Sequence, residues 1–255
     1  MTEQNVIRLK IRRQEGPNKP FHWEEFEIPY REKANVISCL MEIQKNPVTA
    51  EGKKTTPVVW ECNCLEEVCG ACTMNINGQA KQACSALVDH LAQPIVLKPL
   101  TKFPLVRDLM VDRQVMFDNL KKVHAWIPID GTYNLGPGPR MPEVKRQWAY
   151  ELSKCMTCGC CSEGCPQVND HSIFMGPAPI SQIRLFNAHP TGAFQKSERL
   201  REALGEEGIA GCGNAQNCAK VCPKKIPLTE SLALIGREAT KQAIRDFLSL
   251  PDAPR

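Results

Sequence analysis

Cysteine is the residue type most able to do chemistry in this chain. Fourteen occur in 255 residues, and they are gathered rather than spread. Cys62, Cys64, Cys69, Cys72 and Cys84 form one group; Cys155, Cys158, Cys160, Cys161 and Cys165 a second; Cys212, Cys218 and Cys222 a third; Cys39 stands apart. The first residues, Met1-Thr2-Glu3-Gln4-Asn5, are polar and include an acid, which fits neither a signal peptide nor an Arg-rich transit peptide. The expectation is a chain used in a reducing cytosol. Disulfides are disfavoured there, so the thiols are expected to hold metal or carry redox chemistry.

The first group contains Cys64-x4-Cys69-x2-Cys72-x11-Cys84. A C-x4-C-x2-C loop with a distant fourth thiol is the spacing of plant-type [2Fe–2S] sites. Such a loop wraps the cluster, so that backbone N–H groups reach its sulfurs while three thiolates turn inward. Gly70, without a Cβ, permits that close approach. The fourth thiolate, Cys84, ends a hairpin set by Asn77-Gly78. Structural zinc also takes four thiolates, but it prefers paired short knuckles and the second knuckle is missing. Cys62 lies outside the pattern, as a spare thiol at the rim.

The second group, Cys155-x2-Cys158-x2-Cys161-x3-Cys165-Pro166, is the bacterial ferredoxin run, whose cysteine before Pro ligates the other cluster in two-cluster proteins. Gly159 and Gly164 relieve crowding, and Cys160 is an off-register bystander. The third group follows the same template with one change, Cys212-x2-Ala215-x2-Cys218-x3-Cys222-Pro223. Alanine has no donor atom. Cross-ligation returns Cys222 to the first site, giving Cys155, Cys158, Cys161 and Cys222 for a [4Fe–4S] cluster. Cys165, Cys212 and Cys218 remain. Three thiolates hold three irons, which predicts a [3Fe–4S] cluster; a cubane whose fourth iron carries water, as in a dehydratase, is the alternative. Clusters of three nuclearities span a wide range of potential, so the chain reads as an electron relay. Thr157 and Ser162, between ligands, are either donors to cluster sulfur or small loop fillers.

The elements that must position these thiols fall into two parts, separated by the cysteine-free stretch between Cys84 and Cys155. Strands are predicted at Val6 to Arg12 and Phe21 to Ile28, joined across Gly16-Pro17, at Val58 to Trp60, at Thr73 to Ile76 and Gln79 to Cys84, and at Ile95 to Lys98. A helix capped by Asn35 is predicted over Val36 to Lys45, with Cys39 as a packing thiol inside it. This makes a small mixed sheet crossed by one helix. The second part reads as helical. One helix is marked by Val115, Leu120 and Val123, a second runs from Trp148 to Ser153 and a third from Ile180 to Phe186. A fourth, Glu198 to Leu204, is capped by Ser197 and stopped by Gly205. The last is capped by Thr229, with Leu232, Ile235, Ala239, Ile244 and Phe247 on its apolar side. Gly131 to Pro142 reads as a loop or linker. The fold class is therefore α+β, with domains over 1–112 and 113–255.

Composition narrows the function further. The hydrophobic share of 42% and charged share of 24% suit a globular chain, and no apolar run reaches the length of a membrane span. A net charge of +4 without a basic, aromatic-rich stripe gives no support to nucleic-acid binding. The five histidines, His22, His90, His124, His171 and His189, show no metal-ligand spacing, and Gly136-Pro137-Gly138 is not a phosphate loop. No residue is singled out for acid–base catalysis. A zinc scaffold and a stand-alone ferredoxin are the competing classes; the size of both domains exceeds what cluster wrapping needs and argues for permanent partners.

Cys64-Leu-Glu-Glu-Val-Cys69-Gly-Ala-Cys72, the Cys155–Pro166 run and the Ala-interrupted Cys212–Pro223 run together resemble the iron–sulfur subunit of succinate dehydrogenase and quinol:fumarate reductase, respiratory complex II. The likeness covers nearly the whole chain and includes Phe103-Pro104-Leu105-Val106-Arg107-Asp108-Leu109. It implies an N-terminal β-grasp [2Fe–2S] ferredoxin domain followed by an α-helical ferredoxin domain. It implies a flavoprotein partner with covalent FAD and the dicarboxylate site, and a membrane-anchor cytochrome b partner that handles quinone. Electrons would pass from flavin through the [2Fe–2S], [4Fe–4S] and [3Fe–4S] clusters to quinone, in the tricarboxylic acid cycle or, run backwards, in fumarate reduction. Ubiquinone-using members carry a Trp pair beyond the cysteine matching Cys165 and His after the one matching Cys212. Here those positions hold Asn169, Asp170 and Gly213, and only Pro166 survives from that pocket. The chain is more similar to menaquinone-linked enzymes of Gram-positive bacteria, whose anchor is a di-haem cytochrome. The implied place is the cytoplasmic face of the cell membrane. No quinone-binding residue is assigned.

Overall fold

The computed structural model describes residues 6–128, 140–250 and 252. In chain order the strands are β1 (Val6–Arg13), β2 (His22–Pro29), β3 (Thr73–Ile76), β4 (Gln79–Gln82), β5 (Ile95–Lys98), β6 (Leu105–Arg107) and β7 (Met110–Val111). The helices are α1 (Val36–Lys45), α2 (Gln114–Lys122), α3 (Glu143–Ser153), α4 (Cys160–Glu163), α5 (Pro177–Ala188), α6 (Lys196–Leu204), α7 (Asn217–Lys220) and α8 (Leu228–Phe247). The chain divides into two compact units. One runs to Arg113 and also takes in Met156–Glu163; the other comprises Gln114–Cys155 and the chain from Gly164 onward.

The first unit is built on a five-stranded mixed sheet in the order β2-β1-β5-β3-β4. β1 pairs antiparallel with β2 and parallel with β5, while β3 pairs antiparallel with both β4 and β5. The alternation in β1 buries Ile7, Leu9 and Ile11 in one core with Val36, Leu40 and Ile43 of α1. Asn35 caps α1 through a capping box: its Oδ1 accepts from Ser38 N at 2.8 Å, and Ser38 Oγ accepts from Asn35 N at 2.9 Å. Asn77 and Gly78 both have positive φ, 49° and 84°, the geometry of the tightest hairpin turn.

Val58 to Trp60 does not form the expected strand. Val58 is buried, but Val59 N donates to the Asp108 carboxylate at 3.0 Å instead of to a neighbouring strand. Asp108, 1% exposed, also accepts from Arg13 Nε at 3.1 Å and from Gln14 N at 3.0 Å. A side-chain network thus does here what a sheet ladder was expected to do.

The second unit is helical. α8 packs against α5 and α6, and α5 also contacts α2 and α3. Its core includes Ile180, Ile183, Leu200, Ala203, Ile235 and Ala239. α6 and α8 begin before the expected caps, at Lys196 and Leu228, and neither flanking residue caps through its side chain. Gly205 does end α6, its N–H reaching Arg201 O and Glu202 O. The apolar side of α8 stops short of expectation: Ile244 and Phe247 are 54% and 87% exposed. Of the segment Gly131 to Pro142, residues 131–139 lie outside the described residues; 140–142 belong to no helix or strand. Among the described residues no helix is long and apolar enough to cross a membrane.

Candidate metal centres

The first thiol group lies on the loop entering β3 and on the chain leaving β4. Leu65, Glu67 and Gly70 have positive φ of 63°, 58° and 71°, which curls the loop and turns its N–H groups inward. Val68 N and Cys69 N both donate to Cys64 Sγ at 3.3 Å, and Ala71 N donates to Cys69 Sγ at 3.4 Å. The N–H groups of Glu66 and Val68 hold the Cys64 thiol down to about 7. Burial pushes Cys72 up to about 12, with Cys84 beside it. Ala83 N donates to Cys72 O at 3.2 Å, which sets the Cys84 strand end against the loop. Cys62 is exposed, beside the other thiols of this group. N–H groups aimed at sulfur, around a thiol already inclined to ionise, fit an anionic thiolate cluster. Arg113 steadies the same loop, donating from Nη1 to Gly70 O at 2.7 Å.

The second set is divided between the units. Cys158 and Cys161 lie in the Met156–Glu163 segment of the first; Cys155 and Cys222 belong to the second. Thr157 and Gly159, which flank Cys158, have φ of 50° and 86°. Cys160 is 1% exposed, and its neighbour Cys158 together with burial pushes its thiol up. Ile226 N donates to Cys222 Sγ at 3.4 Å. Cys39, 1% exposed in α1, is raised to about 12 by burial, as a packing thiol should be.

The third set closes around a small cavity within the second unit. Cys165, Cys212, Cys218 and Ala215 all line it, with Gln167 and Phe174. Burial raises the Cys218 thiol, and Cys165 and Cys212 raise it further, so the three sulfurs lie close enough to feel one another. At the fourth corner Ala215 offers only a methyl group. A Cβ at Gly213 would stand 2.5 Å from Nε2 of Gln167, the far end of a flexible side chain. Among the described residues no three His, Cys, Asp or Glu side chains converge to hold a single metal ion. A cluster does not ask for that, because no iron in it takes more than two protein thiolates. Two participants were not anticipated: Gln82, buried on a strand where a polar residue reads as solvent-facing, and half-buried Gln167, whose place beside Gly213 has no local signature.

Residues 8–118 match the family model of the 2Fe-2S iron-sulfur cluster binding domain, and residues 151–226 that of the 4Fe-4S dicluster domain. The succinate dehydrogenase iron-sulfur subunit of Bacillus subtilis is 65% identical over 97% of this chain and 98% of its own length. This chain belongs to the succinate dehydrogenase iron–sulfur subunit family. The Coxiella burnetii succinate dehydrogenase iron-sulfur subunit is 30% identical over 89% of this chain and 94% of its own. The Wolinella succinogenes fumarate reductase iron-sulfur subunit is 27% identical, over 88% and 92%. A chain of the Mycobacterium smegmatis Sdh1 complex in the apo form shares the fold, with a TM-score of 0.76 at 24% identity, covering 94% of this chain and 97% of that one. As a succinate dehydrogenase iron–sulfur subunit, the chain is the electron-relay part of an oxidoreductase and carries [2Fe–2S], [4Fe–4S] and [3Fe–4S] clusters. The α+β order of a [2Fe–2S] ferredoxin domain followed by a helical cluster domain is that expected from the sequence. Membership also implies flavoprotein and membrane-anchor partners in a membrane-bound complex.

Proposed function

We propose that this chain relays electrons from covalent FAD in its flavoprotein partner to menaquinone at a di-haem cytochrome b anchor, on the cytoplasmic face of the cell membrane. Cys64, Cys69, Cys72 and Cys84 hold the [2Fe–2S] cluster. Cys155, Cys158, Cys161 and Cys222 hold the [4Fe–4S] cluster, and Cys165, Cys212 and Cys218 the [3Fe–4S] cluster. When bound, these clusters supply one-electron steps between a two-electron donor and a two-electron acceptor. The chain's own residues fix ligand number, donate N–H groups to sulfur and exclude water. Domains over 1–112 and 113–255 correspond to the two ferredoxin types.

The observation that carries this reading is the cavity lined by Cys165, Cys212, Cys218 and Ala215. Three thiols and a methyl group supply three ligands where the cubane template has four. Asn169, Asp170 and Gly213 favour menaquinone over ubiquinone, because the ubiquinone pattern carries Trp and His at those positions.

Ala215→Cys tests the assignment. The added thiolate should recruit a fourth iron, remove the trinuclear EPR signal of the oxidised complex, lower the potential of that site and slow quinone reduction. An unchanged trinuclear signal with no added iron would overturn the ligand assignment.

A further inference from the structure

Cys160 sits between two assigned cluster ligands and is not itself assigned to iron. It is 1% exposed, and its sulfur is bonded on two sides within the first unit. Gln82 Nε2 donates to Cys160 Sγ at 3.4 Å, and Cys160 S–H donates to Ala80 O at 3.6 Å. Both partners are on β4, the strand that leads to Cys84. Gln82, also 1% exposed, uses its second amide hydrogen on Thr73 Oγ1 at 3.0 Å, and Thr73 Oγ1 donates to Gly70 O at 2.7 Å. A continuous hydrogen-bond chain therefore runs from Gly70, between Cys69 and Cys72, to Cys160, between Cys158 and Cys161.

Two further contacts hold the Met156–Glu163 segment in the first unit. A Cβ on Gly70 would stand 2.7 Å from both Cα and Cβ of Cys158 and 3.0 Å from Met156 O, so the two backbones approach as closely as a glycine allows. At the end of α4 the Glu163 carboxylate accepts from Thr101 N at 2.9 Å, Thr101 Oγ1 at 2.8 Å and Lys102 N at 3.1 Å. Buried polar groups satisfied at each link favour one arrangement over slipped alternatives, because any slip strands a donor away from water.

We propose that the Gln82–Cys160–Ala80 hydrogen bonds are a clamp that fixes the Cys158 and Cys161 segment against the [2Fe–2S] loop. Gln82 and Cys160 are positioning residues: they set the spacing across which an electron passes between the two centres. The proposal rests on the ligand assignment made above. It gives the off-register cysteine a purpose, since a small side chain that both accepts and donates is needed in a dry gap.

The test uses the intact complex, purified anaerobically, carrying Cys160→Ala, Gln82→Leu or Cys160→Ser. The readout is microwave-power saturation of the [2Fe–2S] EPR signal with the cubane oxidised and then reduced, alongside iron content and [2Fe–2S] spin count. A paramagnetic neighbour at fixed short range speeds relaxation of that signal. In the unsubstituted complex, reducing the cubane should make the signal harder to saturate. Cys160→Ala and Gln82→Leu should lose this enhancement while keeping iron content and spin count; Cys160→Ser, which can still accept and donate, should restore it. If Cys160→Ala does not assemble, the similar-sized Gln82→Leu decides alone. Wild-type saturation behaviour in both C160A and Q82L, or a C160S protein as impaired as C160A, overturns the clamp. An unsubstituted complex without acid-labile sulfide would instead overturn the ligand assignment beneath it.

Discussion

Buried charge shows where single side chains hold this molecule together. Arg13 is 3% exposed, and its guanidinium is bonded to Asp108, to Thr56 O and to Glu24. Asp108 in turn ties down Val59, at the start of the segment that leads to Cys64. Breaking a buried ion pair from one side costs about 3–5 kcal/mol, because the other charge is left unpaired. Asp108→Ala should therefore lower the urea midpoint sharply, and more than Glu27→Ala, which removes the exposed partner of Arg8. Arg199 is the counterpart in the second unit: fully buried, it donates to His124 O, Trp126 O, Gly192 O, Asn187 Oδ1 and Gln195 Oε1. Burial pulls its guanidinium below the ordinary arginine range. Lysine has three donors for these five acceptors. Arg199→Lys should thus lower the thermal midpoint, by about 2–4 °C for each kcal/mol lost. An unchanged midpoint would show that water takes over the vacated acceptors. Neither network was legible in the sequence. A charged residue on an alternating strand or an amphipathic helix reads as solvent-facing, and Arg13 meets Asp108 only after the chain has folded.

Local elements were legible where short-range chemistry decides them. The Asn-Gly turn, the Asn35 cap and the ends of α1 follow from backbone geometry and neighbouring side chains alone. Val58 to Trp60 failed because an apolar triplet reports burial, not the partner of its N–H groups. The end of α8 failed because helical periodicity continues past the last turn that has anything to pack against. Asn35 also ties an element to a centre, since its Nδ2 donates to Cys84 O at 2.9 Å. Asn35→Ala should cost about 0.5–2 kcal/mol through the lost cap. It should also speed iron release from the first centre, read as decay of the [2Fe–2S] absorbance under chelator, while the trinuclear EPR signal persists. Equal loss of both signals would place the effect in general unfolding instead.

Across the whole molecule, the cysteine spacings were the most legible feature, because ligand loops are constrained by how a short backbone can wrap a cluster. Less legible was the way those loops are distributed. Met156–Glu163, deep in the second half of the sequence, belongs to the first compact unit, which no periodicity signals. Cys72 lies beside Cys84, while Cys165, Cys212 and Cys218 line one cavity, and the chain's family carries clusters of all three kinds. The central claim is the partition of eleven thiolates into sets of four, four and three. EPR of the anaerobically purified complex, before and after dithionite, tests it most directly. The account predicts a trinuclear signal in the oxidised sample and a binuclear signal in the reduced one. An oxidised sample with full iron and no trinuclear signal would contradict it.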